Sequence, residues 1–167
     1  MEKVLYLEKE KSITFTGHRI IPFIRQEEVR TQLTTVVALA YKSGITCFYC
    51  GMALGFDLMA AEVVLSLKDK FSDIQLIAVV PFSGQSSRWT SSEQERYHRI
   101  LSQANKVVTL SKDYFRGCLL RRNDYMLSHS CSVIAYYDGK PKGGTFYTVR
   151  KAERMKMNVV NIYGKGG

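Results

Sequence analysis

Four short clusters in this chain set glycine beside groups that bind anions or carry protons: Gly17-His18-Arg19, Gly51-Met-Ala-Leu-Gly55-Phe-Asp57, Pro81-Phe82-Ser-Gly-Gln85-Ser-Ser-Arg-Trp89, and Asp138-Gly139 running on to Gly143-Gly144-Thr145. Glycine lets main-chain N–H groups come close to a ligand, and a helix start adds partial positive charge suited to phosphate. Arg19 is a phosphate-contact candidate. Asp57 would accept hydrogen bonds from sugar hydroxyls, or serve as an ordinary first-turn acid on a helix dipole. Gly143, Gly144 and Thr145 offer donor N–H groups and a hydroxyl, although Thr145 could equally be a simple cap. Trp89, the sole tryptophan, stands beside Gln85, Pro81 and Phe82. That set suits stacking on a base and reading its edge, or, for the indole, covering the core. Arg122 reads as a bidentate phosphate binder and Asn123 as a base or sugar contact, or both as solvated polar groups on a helix. Histidine is a residue type suited to proton transfer near neutral pH, and His18, Asp57 and Glu62 are the candidates for acid–base work. For His18 a turn-orienting role stays open, and for Glu62 a solvated one.

These clusters need elements to position them. Short apolar runs near residues 12–17, 46–50, 74–80, 106–110, 132–137 and 158–162 alternate with helically spaced segments at 26–43, 56–69, 92–103, 117–130 and 145–157. The alternation predicts an α/β domain whose mostly parallel sheet of about six strands is covered on both faces. Ser91 or Ser92 ahead of Glu95 resembles a capping box for the third helix. Each polar cluster follows an apolar run, at what would be its carboxyl end. In an open parallel sheet those ends share one edge, where ligands bind near the topological switch point. The four loops are therefore expected to converge.

The length of 167 residues and 46% hydrophobic content suit one domain over 1–167, with a core near 12–162 and a loose tail at 163–167. The stretch Val4–Leu7 is too short for a secretory or membrane segment, so the expectation is a cytoplasmic protein with no membrane partner. Cys47 and Cys50 form a CxxC in an apolar run without a second ligand pair, which favours a structural role over a metal site. The formal charge is +9, of which residues 111–167 supply +7, from 11 Lys/Arg against 4 Asp/Glu. Such a field favours an anionic partner, either a phosphorylated small molecule or nucleic acid.

TGHR, GMALGFDLMAAE, VPFSGQSSRW with QERY, RRNDYM, and IAYYDG with GGT together resemble the YpsA-like family of the SLOG superfamily. That superfamily includes the DNA-uptake protein DprA and the LOG nucleotide-processing enzymes. The resemblance spans about 12–162 and implies one Rossmann-like three-layer α/β/α domain that binds a nucleotide or nucleotide-derived ligand. LOG-type phosphoribohydrolases carry GGxGTxxE with a catalytic glutamate. Here Thr148 stands at that place, and Glu153 lies further along. The expectation is thus a module that senses or binds a small anionic nucleotide-derived ligand at the carboxyl edge, with no cofactor required and homo-oligomerisation left open. The alternatives are a LOG-type N-glycoside hydrolase and, second, DprA-like binding of single-stranded nucleic acid.

Overall fold

A computed structural model describes residues 8–164, so the end of the expected tail and the Val4–Leu7 stretch lie outside the described residues. The strands are β1 (Ser12–Gly17), β2 (Cys47–Cys50), β3 (Gln75–Val80), β4 (Lys106–Thr109), β5 (Ser132–Tyr136) and β6 (Asn158–Asn161). The helices between them are α1 (Gln26–Lys42), α2 (Phe56–Ser66, extended by a 3₁₀ turn at Leu67–Asp69), α3 (Ser91–Gln103), α4 (Cys118–Ser128) and α5 (Gly143–Arg154). Every strand pairing is parallel and the order is β4-β3-β2-β1-β5-β6. This is a Rossmann-like α/β/α sandwich. The chain walks outward from β1 to β4, then returns through α4 to lay β5 against the other side of β1. The switch point therefore falls between β1 and β5.

Strand alternation divides the core between the two faces. Ile13 and Phe15 of β1 join Val29, Leu33 and Val37 of α1 and Leu58, Ala61 and Val64 of α2. On the opposite face Met126 of α4 meets Tyr49, Ile77 and Val79, while Leu127 and Val149 pack with Val133 and Ala135. Cys47 belongs to the α4 face and Cys50 to the α1–α2 face. Three positions apart on one strand, the two thiols point through opposite sides of the sheet, which gives the CxxC its structural character.

Helix starts follow two designs. Thr90, not Ser91 or Ser92, caps α3: its hydroxyl accepts from the Glu93 N–H while the Glu93 carboxylate accepts from the Thr90 N–H. The capping box lies one or two residues earlier than expected because the helix begins at Ser91. The starts of α4 and α5, after Gly117 and Lys142, carry no side-chain cap. Among the described residues no helix is long and apolar enough to cross a membrane.

Candidate functional site

A cavity of about 450 Å³ opens at the switch point, a volume within the usual range for small-ligand sites. Its floor is the end of β1 with Gly17, His18 and Arg19, and its walls are the starts of α4 and α5. Asp57 and Ala53 close one side. Gly143, Gly144 and Thr145 line it with Lys142, so the strand-end rule places the GGT cluster at the cavity. Gly143 has φ +92°, a conformation that glycine adopts freely and that turns the chain into α5 at that point. Arg122 and Asn123 line the cavity as well. Neither is the solvated group that stood as one reading of the helix. Arg122 is only 5% exposed, its Nη1 donating to the Gly51 carbonyl at 2.6 Å and its Nε to Asn123 Oδ1 at 3.0 Å.

Two of the expected ligand glycines are tightly packed. A Cβ on Gly51 would lie 2.8 Å from Arg122 Nε, and one on Gly17 would enter the Phe56 ring. Gly55, at φ +82°, lets the Arg19 main chain pass directly over it. The first N–H of α2, on Phe56, donates to the His18 carbonyl rather than standing free for a ligand. The GMALGFD turn therefore builds the cavity wall, and its contribution to the opening is Ala53 and Asp57.

Asp57 is 6% exposed. Its Oδ2 accepts from the Ala53 N–H at 3.3 Å, whereas Oδ1 is buried with no hydrogen-bond partner. Burial pushes this carboxyl up to about 6, against the opposing pull of Arg122, the Ala53 N–H and Arg19. An unpartnered carboxylate oxygen at a cavity wall is an acceptor awaiting a donor.

His18 gains the carboxylate neighbour that was not visible in the sequence. Its Nε2 accepts from the Asp138 N–H at 2.9 Å and lies 3.3 Å from Asp138 Oδ1, while Lys140 N–H donates to that same oxygen. The Lys140 N–H holds the Asp138 carboxyl below its ordinary range, with His18 adding to the effect. Asp138 and Gly139 do not line the cavity. They fasten the loop that leads into α5 to the end of β1.

A smaller recess of about 210 Å³ adjoins the cavity and shares Arg19, Ala53, Tyr114 and Leu119 with it. Phe82, Gln85 and Trp89 line it, so the third loop also converges. The Trp89 ring packs edge-on to Tyr97 with centroids 5.2 Å apart, and Phe82 meets Tyr114 likewise at 5.4 Å. The Gln85 amide donates to the Gly51 carbonyl and accepts from the Tyr97 hydroxyl. Those bonds fix the orientation of the amide in the wall of the recess. Pro81 is buried beneath the loop. Glu62 lies elsewhere, on the outward side of α2, where it holds Arg96 and Arg30. It is therefore not part of an acid–base constellation at the cavity.

The sequence reading missed Tyr114 and the start of α4, Gly117 to Leu120, all of which line the cavity. These residues follow β4 just as the marked clusters follow β1, β2, β3 and β5. Applying the strand-end rule to every strand would have found them. Thr148, at the place of the LOG glutamate, is fully buried and donates its hydroxyl to the Gly144 carbonyl inside α5.

Residues 14–163 match the model of the YspA SLOG family. The chain belongs to this YpsA-type SLOG family. A UPF0398 protein of Halalkalibacterium halodurans is 30% identical over 151 residues, covering 89% of this chain and 77% of that one. Another UPF0398 protein, from Bacillus cereus, is 31% identical over 151 residues, with coverage of 89% and 79%. Among solved structures, DNA processing protein A from Helicobacter pylori superposes with a TM-score of 0.64 at 20% sequence identity. It covers 92% of this chain, which spans 65% of that protein, and that protein binds single-stranded DNA. The likeness establishes the SLOG fold for this family member.

Proposed function

We propose that this SLOG chain binds a small nucleotide-derived ligand at the carboxyl edge of its sheet. The observation that carries the reading is the cavity at the switch point. Two helix starts without side-chain caps line it beside Arg19 and Lys142, as does Asp57, whose buried Oδ1 has no hydrogen-bond partner. A phosphate suits the helix starts and the cations. A sugar hydroxyl suits Asp57, because a phosphate there would face a carboxylate. A base suits the recess of Phe82, Trp89 and Tyr114. Equilibrium dialysis and thermal shift with AMP, ADP-ribose, NAD and cyclic dinucleotides test this. The expected result is binding by at least one of them, lost in Arg19→Ala and weakened in Thr145→Ala. No response from folded protein would overturn the reading.

A second reading, binding of single-stranded nucleic acid, draws support from the +7 charge of residues 111–167, which form both α4 and α5. Oligonucleotide affinity would then fall with salt at a slope of about −0.7 per neutralised phosphate. Absent or salt-insensitive binding would remove it.

A further inference from the structure

Arg19 lines three adjoining cavities, not one. Besides the main cavity and the aromatic recess, a third hollow of about 410 Å³ lies across Leu54 and Gly55 on the α1–α2 side. Arg19, Arg30 and Arg96 line it, with Gln26, and Glu93 is the acid in its wall. Glu93 is already engaged, accepting from the Thr90 N–H, and Glu62 holds Arg30 at 3.6 Å and Arg96 more closely. Three guanidinium groups against these two carboxylates leave one net positive charge at the hollow. Ile20, also in its lining, is 81% exposed, an apolar surface with nothing packed on it. A mononucleotide would occupy the main cavity with its phosphate and the aromatic recess with its base, leaving this hollow empty.

We infer that the ligand is a linear dinucleotide: its terminal phosphate sits at the α4 and α5 starts and its first base in the aromatic recess. Its internucleotide phosphate crosses Arg19 to reach Arg30 and Arg96. The second base lies on Ile20. This inference rests on the nucleotide reading above and names the class of nucleotide. Guanidinium forks suit a phosphodiester because they donate in pairs to its two free oxygens. An exposed aliphatic side chain beside them offers the second base a surface to cover.

Isothermal titration at fixed salt, with AMP, with pApA (the linear diadenylate carrying a terminal phosphate) and with a twelve-residue deoxyadenylate, tests it. The expected result is a preference for pApA over AMP of about tenfold, the effect of one charge-assisted hydrogen bond. In Arg30→Gln that preference falls to near one. Ile20→Glu, at an exposed position where folding is indifferent, also lowers it. Equal affinity for AMP and pApA, unchanged in both variants, overturns the dinucleotide inference and leaves the nucleotide site standing. Binding of neither overturns the dinucleotide inference, and the nucleotide reading falls with it only if ADP-ribose, NAD and cyclic dinucleotides also fail to bind. Much tighter binding of the long oligomer than of pApA overturns the small ligand in favour of a strand.

Discussion

Arg122 and Gly51, 71 residues apart, fit together as donor and gap: the guanidinium donates to the Gly51 carbonyl at 2.6 Å across the space a Cβ would fill. Any side chain at position 51 displaces a buried cation from its acceptor. Gly51→Ala is therefore expected to destabilise the fold by about 1–3 kcal/mol, as overpacking of a tight site does, measured by urea unfolding. Gly44→Ala supplies the contrast in space, since nothing lies within 4 Å of a Cβ there and its cost comes only from φ +111°.

Asp57 should leave a signature in the pH dependence of stability. With its carboxyl at about 6 in the native protein and an ordinary value near 3.8 in the unfolded chain, the native state holds the extra proton between those limits. Stability then falls as pH rises from about 4 to about 6, by about 3 kcal/mol in all, and changes little above. Asp57→Asn flattens this slope. Melting temperatures of both proteins between about pH 4 and 7.5 check it, and a difference between wild type and Asp57→Asn that stays constant over that window would contradict it.

Phe56 is the hinge of the aromatic core under the site. Its ring stacks on Tyr136 at 5.7 Å and meets Phe15 edge-on at 6.2 Å, over the gap left by Gly17. Phe56→Ala is expected to cost about 3–5 kcal/mol in chemical denaturation. Gly17→Ala should destabilise through the same side chain, and Phe56→Leu should not rescue it, because leucine keeps the Cβ, Cγ and Cδ1 atoms that a Cβ at position 17 would meet.

His18 fastens the loop before α5 through the Asp138 N–H. Replacing His18 with alanine frees the amide. Exchange of the Asp138 N–H should speed up about five- to tenfold, the scale of one hydrogen bond, with the melting transition nearly unmoved. An unchanged exchange rate would show that the loop is held by its own turn bonds instead.

Thr90→Ala removes one half of the α3 capping box and should cost about 1 kcal/mol, whereas Ser91→Ala and Ser92→Ala should cost little. The contrast reads out which residue the helix uses.

Much of this fold is legible in its sequence because the strands are short apolar runs bounded by polar residues, and periodicity marks them to within a residue or two. Gly44 ends the first helix pattern, and the structure stops α1 at Lys42 with Gly44 at φ +111°. The convergence of TGHR and GGT is legible too, since it follows from parallel strands sharing an edge. What the sequence hides is long-range fit. Arg122 looks like a surface charge until its acceptor arrives from β2, and Gly51 looks like a ligand loop until that same arginine fills its space. Glu62 looks available until the helix turns it toward Arg30 and Arg96. The loop after β4 carries Tyr114 without a paired-glycine signature, so only its place in the sheet betrays it.

The return of the chain from β4 to β5 has a mechanical side. One wall of the cavity belongs to the outward walk, with Arg19, Ala53 and Asp57, and the other to the homeward run, with Leu119, Lys142 and Thr145. A molecule seated between them touches both and so acts as a clasp over the β1–β5 seam. Occupancy should add to the β1–β5 pairing, already the longest in the sheet, and tie its two halves more firmly into one cooperative unit.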